Sequence, residues 1–143
     1  MAMQLDNNAR ELAITGALLF LVGLLQGLVV EHFANPRMAL SAHLDAVQSG
    51  MAVLIAAAFW RSARWSVKTE QVARWALAVG MVGLWLGITL AAITGANEAL
   101  PIAGEGYSAT PKAELATTAV IGTSSLALLL GWGLFVMGLI RGR

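Results

Sequence analysis

Cysteine is missing from this sequence of 143 residues. Its absence excludes disulfide bonds, thiolate metal ligands, iron–sulfur clusters and the covalent attachment of haem through a cysteine motif. A metal could be held only by histidine, carboxylate, tyrosine or methionine side chains, and the chain has just two histidines and one tyrosine. The choice of metal ligands is therefore narrow.

Charged residues are scarce as well, at 12% of the chain, and the formal net charge is only +1. The sequence has no basic arm, so we expect no nucleic acid partner. Hydrophobic residues make up 58% of the chain and the mean hydropathy is +0.73, well outside the range of soluble globular domains. We therefore expect a protein that lies in the lipid bilayer.

Four apolar stretches each have about the 20 residues that are needed to cross a hydrocarbon core of about 30 Å. Their apolar residues run on without two-residue alternation, which favours helices over barrel strands. Asn35 before Pro36 and Thr110 before Pro111 are typical of helix amino termini. We predict a single all-α membrane domain, a four-transmembrane-helix bundle with helices over about residues 12–30, 36–60, 72–95 and 111–140.

The basic residues are unequally distributed between the two ends of this predicted bundle. Only Arg37 and Lys112 fall on the side away from the termini. The other seven are Arg10, Arg61, Arg64, Lys68, Arg74, Arg141 and Arg143. Because cytoplasmic loops carry the excess of lysine and arginine, the pattern predicts cytoplasmic amino and carboxyl ends in the inner (cytoplasmic) membrane of the cell.

Glycines and one long link complete the outline of the bundle. Gly23 with Gly27, and Gly83 with Gly87, have the GxxxG spacing, which we interpret as helix packing. The link over residues 95–111 contains two prolines, three glycines and the only tyrosine. It either folds back over the outer end of the bundle or forms a flexible linker, and the sequence favours neither.

Polar residues inside membrane spans are costly and mark candidate functional sites. The second span has most of them, namely Ser41, His43, Asp45, Gln48 and Ser49. At about 100° per residue, His43 lies on one face of the helix and the other four lie on the opposite face. His43 either donates a hydrogen bond to a neighbouring helix or binds a metal or haem. The small residues beside it permit either a flat macrocycle or close helix packing.

The residues around His43 resemble a known family signature. Residues 34–45, ANPRMALSAHLD, followed by Ser49-Gly50-Met51, are similar to the signature of the second helix of the hydroxylaminobenzene mutases. Residues 100–104, LPIAG, resemble a second signature of that family. The resemblance covers nearly the whole chain, and it extends more distantly to styrene oxide isomerase of the same superfamily.

This resemblance implies a small membrane isomerase or mutase that holds haem b and assembles as a homotrimer, with haem between subunits. His43 matches the axial iron ligand. Arg37 is either the partner of a haem propionate, because its fork fits a carboxylate, or an interfacial anchor. The implied chemistry uses ferric haem as a Lewis acid to rearrange a small aromatic substrate, either an aryl hydroxylamine to an aminophenol or an aryl epoxide to an aldehyde.

Two other functions stay open from the residues. A haem-free structural or transport subunit would use His43 only to join helices, and a haem electron-transfer or sensor protein would need a second strong axial ligand. The chain also departs from the family pattern, because Ser49 replaces an asparagine, and Leu84 replaces another on the third helix. The polar candidates for catalysis that remain are Ser49, Gln48, Thr89 and Asn97. In the trimer, one subunit would give His43 and its neighbour Ser49 or Gln48.

Overall fold

The computed structural model of the protein describes residues 6–142, so Arg143 lies outside the described residues. It contains four long helices, α1 (Asn7–Gly27), α2 (Pro36–Phe59), α3 (Val67–Thr94) and α4 (Pro111–Arg141). Each helix is long and apolar enough to cross a membrane. Residues 6–142 form no strand. The predicted class, an all-α protein with four membrane spans, is therefore confirmed.

Side chains cap the amino termini of the four long helices. Asn35 accepts a hydrogen bond from an amide of the first turn at 3.0 Å, and Thr110 does the same at 3.3 Å. These two caps precede α2 and α4, which begin at Pro36 and Pro111 as the Asn-Pro and Thr-Pro pairs predict.

The other two helices begin before their apolar stretches do. Asp6 accepts from a first-turn amide at 2.7 Å and Ser66 at 3.2 Å, so α1 begins at Asn7 and α3 at Val67. The predicted starts at residues 12 and 72 were too late. The added turns are polar, and a search for apolar residues passes over polar turns that a cap stabilises.

Glycines bring the helices into backbone contact in antiparallel pairs. A Cβ added to Gly23 of α1 would lie 2.8 Å from the Cβ of Ala46 in α2. A Cβ added to Gly87 of α3 would lie 2.7 Å from Ile121 Cγ1 of α4, and Gly83 lies directly against Ser124. The packing interpretation of both GxxxG pairs is confirmed, and larger side chains at these positions would separate the helices.

Successive helices alternate in direction, so both termini lie at one end of the bundle. At this end the indole of Trp60, which is 1% exposed, donates to Glu70 of α3 at 2.9 Å and stacks on Phe135 of α4 at a centroid distance of 5.6 Å. Arg74 forms an ion pair with Glu11. Polar and aromatic side chains thus connect all four helices near the termini.

At the opposite end, the segment 95–110 folds back onto the bundle. The backbone amide of Asn97 donates to the buried Glu114 carboxylate at 3.0 and 3.1 Å, and its side-chain amide donates to the Tyr107 carbonyl at 2.6 Å. Asn35 reaches the segment from the start of α2, donating to the Ala103 carbonyl at 3.0 Å. Of the two predicted alternatives, the structure has the folded cap.

Candidate functional site

His43 lies on α2, about 10 Å along the helix axis from its first residue. Its Nδ1 is 2.7 Å from the backbone carbonyl oxygen of Gly23 in α1. A carbonyl oxygen can only accept, so Nδ1 carries the proton and donates this hydrogen bond. In the neutral ring the proton is therefore absent from Nε2, whose lone pair is available to a ligand.

A second glycine of α1 holds the ring in place. A Cβ added to Gly27 would lie 2.8 Å from both Cε1 and Nδ1 of His43. The imidazole therefore sits against bare backbone, and even alanine at position 27 would push it aside. Gly23 and Gly27 together fix both the tautomer and the seat of the ring.

The Nε2 atom faces a different situation. It has no hydrogen-bond partner within residues 6–142. It is also not fully buried, since the buried side-chain nitrogen and oxygen atoms that lack a partner in that part of the chain are Asp45 Oδ2 and Arg74 Nε. The two readings of His43 concern different nitrogens. The interhelical hydrogen bond uses Nδ1, and ligation would use Nε2.

The small residues beside His43 mainly serve helix packing. Ala46 meets Gly23, and a Cβ on Gly50 would lie 2.6 Å from the Phe20 amide nitrogen. These residues leave no slot for a macrocycle within the single chain. The exposed surface next to His43 is instead apolar, formed by Leu40 and Leu44 at 48% and 46% exposure.

The other polar residues of α2 lie away from His43. Ser49, 8% exposed, points its hydroxyl at Asp45 Oδ1 over 3.5 Å, the outer limit of a hydrogen bond, and Asp45 Oδ2 is buried without a partner. Gln48 is exposed. Ser49 is about 9 Å further along the helix than His43. The structure does not bring either predicted donor beside the histidine of the same chain.

Arg37 and Asn97 both take part in the folded cap. The guanidinium of Arg37 donates to the Glu105 carbonyl and lies 5.9 Å from the centre of the Tyr107 ring. The side-chain amide of Asn97 is bonded to the Tyr107 carbonyl. Their predicted roles, at a haem propionate and in catalysis, remain predictions, while their contacts here hold the segment 95–110.

One buried polar residue near His43 is absent from the candidates predicted by sequence. Gln26 of α1 is 6% exposed, accepts from the Trp85 indole at 2.7 Å and donates to Thr89 Oγ1 at 3.2 Å. Both partners belong to α3. The signal was a lone glutamine in the last turn of an apolar span, where a polar side chain needs a partner.

The second histidine, His32, does not form a metal-ligand cluster with His43. His32 is exposed in a short 3-10 turn, Val30–His32, after α1. Among residues 6–142, no three histidine, cysteine, aspartate or glutamate side chains come close enough to hold a metal ion. Within residues 6–142, His43 is thus the histidine that a long helix holds, and no multidentate metal centre is formed.

Comparisons with known proteins agree on one family. The styrene oxide isomerase family model matches residues 8–140. Hydroxylaminobenzene mutase HabA of Ectopseudomonas oleovorans is 32% identical over 128 residues, covering 89% of this chain and 95% of HabA. HabB of the same organism is 33% identical over 132 residues, covering 92% of this chain and 80% of HabB. No solved structure matches. With four helices long enough to span a membrane and these matches over nearly its whole length, the chain belongs to the styrene oxide isomerase family of intramolecular isomerases.

Proposed function

We propose that this protein is a haem b-dependent membrane isomerase that rearranges a small apolar aryl hydroxylamine to an aminophenol. The observation that carries the proposal is the Nδ1 hydrogen bond of His43 to Gly23, which leaves Nε2 free in the tautomer that binds iron. Metal-binding histidines commonly donate their other ring nitrogen to a backbone carbonyl in this way.

The residues present fit a haem better than a bare metal ion. A haem would need only one protein ligand, and His43, the histidine that lies within a long helix of the described chain, would supply it through Nε2. When bound, ferric haem supplies a Lewis acid that polarises a substrate oxygen without net electron transfer. The apolar surface around His43, with Leu40 and Leu44, suits the faces of the macrocycle.

The protein's own side chains would bind and orient the substrate. The exposed amide of Gln48 can donate a hydrogen bond to the reacting oxygen, whereas the Ser49 hydroxyl, buried and directed at Asp45 Oδ1, would have to turn away from Asp45 to do so. Both lie away from His43 on α2, so a neighbouring chain must supply them. The surrounding apolar side chains exclude water, which favours return of the oxygen to the same molecule.

The separation of His43 from the polar donors on α2 supports a site shared between chains, and we propose a homotrimer with the haem between subunits, the number of chains being the one that the family resemblance implies. The outward face of α2 combines Gln48 with exposed apolar residues, and α4 exposes most of its span. Bilayer and partner subunit are the two surroundings such a face can have. The proposal assigns the α2 face to the partner, because only then do His43 and the polar donors meet.

The substrate class rests on the relatives. HabA and HabB are hydroxylaminobenzene mutases, which favours an aryl hydroxylamine. The family name, styrene oxide isomerase, favours an aryl epoxide converted to an aldehyde as the second candidate. Both reactions move atoms within one molecule and need no external oxidant or reductant. Both substrates are apolar aromatics that partition into a bilayer.

The first prediction concerns haem. The protein purified in detergent should show a Soret band with close to one haem per chain, and His43→Ala should lose nearly all of it, because no second side chain replaces the ligand. Absorption spectra and haem extraction measure this. His32→Ala is the matched control and should keep the band.

Cross-linking of the same sample gives the number of chains in the assembly, which we expect to be three. A wild-type protein without haem after reconstitution would overturn the proposal and leave a structural role for His43. A haem-loaded monomer would overturn only the shared site.

The second prediction concerns catalysis. Haem-loaded protein incubated with phenylhydroxylamine should form an aminophenol of the same mass, with no added reductant, as followed by chromatography. If Ser49 donates to the reacting oxygen, Ser49→Ala should lower kcat/KM by about 100-fold or more. Thr123→Val on α4 is the control, since that hydroxyl bonds only to its own helix at 2.7 and 3.2 Å. Full activity in Ser49→Ala would remove Ser49 from the site.

The third prediction concerns orientation. We propose that the protein lies in the cytoplasmic membrane with both termini inside, because six of the eight basic residues within the described range 6–142 fall at the end of the bundle that holds the termini. A reporter that works only in the cytoplasm should be active when it is fused after the last residue. Activity of a periplasmic reporter at that position would contradict the proposed orientation.

A further inference from the structure

We propose that Gln26 is a positioning residue, which holds the last turn of α1 against α3 so that the Gly23 carbonyl stays on His43 Nδ1. This inference rests on the proposed function, because it concerns the same histidine. Gln26 itself does not contact the ring, and its effect is transmitted through the backbone of α1.

Gln26 makes a pair of hydrogen bonds to α3. Its Oε1 accepts from the Trp85 indole at 2.7 Å and its Nε2 donates to Thr89 Oγ1 at 3.2 Å. Gln26 is 6% exposed, so solvent does not readily replace these partners. The amide is therefore held at both of its ends by α3.

Gln26 lies near the carboxyl-terminal end of α1. The helix ends at Gly27, so Gln26 and Gly27 lie in its last turn and Gly23 lies one turn before Gly27. Terminal turns are the least constrained part of a helix, because their last carbonyls lack helical partners. At this end of α1 the Leu25 and Gln26 carbonyls accept only short-range bonds, from Leu28 at 3.2 Å and Val29 at 3.0 Å, so contacts from outside the helix help to hold the turn that follows Gly23.

The contacts of α1 with α2 and with α3 differ in extent. Along its length α1 packs mainly on α2, and it meets α3 at few positions. The α2 contact consists of glycine against backbone and ring, and two other side-chain contacts of α1 with α3, Asn8 with Glu70 and Glu11 with Arg74, lie at the amino-terminal end of α1. The bonds from Gln26 to Trp85 and Thr89 hold its carboxyl-terminal end on α3. They thereby keep the Gly23 carbonyl directed at the imidazole.

The experiment compares the imidazole of His43 in haem-free protein labelled with ¹⁵N-histidine. The wild type should show one neutral tautomer, protonated at Nδ1. Gln26→Leu removes both bonds at similar volume and should give a mixture of tautomers. Gln26→Glu keeps the length of the side chain and an oxygen that accepts from Trp85, and should restore the single tautomer. His32→Ala assigns the two histidine signals.

The second readout is haem affinity, which should fall about tenfold in Gln26→Leu and recover in Gln26→Glu, as expected when an outer partner of a metal ligand is disturbed. Thr123→Val should change neither readout. Trp85→Phe removes one bond while keeping an aromatic ring, and it replaces Gln26→Leu if that variant does not fold.

A folded Gln26→Leu or Trp85→Phe protein with unchanged tautomer and haem affinity would overturn the positioning role. If the wild type binds no haem, the proposed function fails, and the nitrogen spectra alone still decide whether Gln26 positions the ring.

Discussion

The hydrogen bond from His43 Nδ1 to the Gly23 carbonyl is the contact on which the rest of the site depends. It requires the backbones of α1 and α2 to touch, which only glycine permits at positions 23 and 27. It also determines which nitrogen keeps the proton. One helix contact thus sets the distance between two spans, the tautomer of the ring and the direction in which its lone pair can act.

A hydrogen bond between helices of this kind also stabilises a membrane protein. An interhelical hydrogen bond in a bilayer contributes about 0.6 kcal/mol on average, and up to about 1.7 kcal/mol. Such a bond alone would not justify a histidine, since many side chains can donate to a carbonyl. What distinguishes histidine is the second nitrogen, which remains available after the first has satisfied the helix. The packing role and the proposed ligand role are therefore compatible in one side chain.

Local signals made the fold largely predictable, whereas long-range pairing did not. Asn35 and Thr110 predicted the starts of α2 and α4 because a cap and the proline after it are adjacent in sequence. Gln26 and Trp85 are 59 residues apart, and no periodicity connects them. Arg37 and the Glu105 carbonyl are likewise 68 residues apart. Residue type identified His43 as a candidate, but its tautomer depends on a carbonyl of another helix.

The spin state of the ferric haem protein, measured by electron paramagnetic resonance at low temperature, tests the central claim most directly. If His43 Nε2 is the single strong protein ligand and the opposite position is left for substrate, the spectrum should be high-spin, and it should change when Gly23 is replaced by a residue that displaces α1. A low-spin spectrum with two strong axial ligands would contradict the account. It would favour an electron-transfer or sensor protein instead.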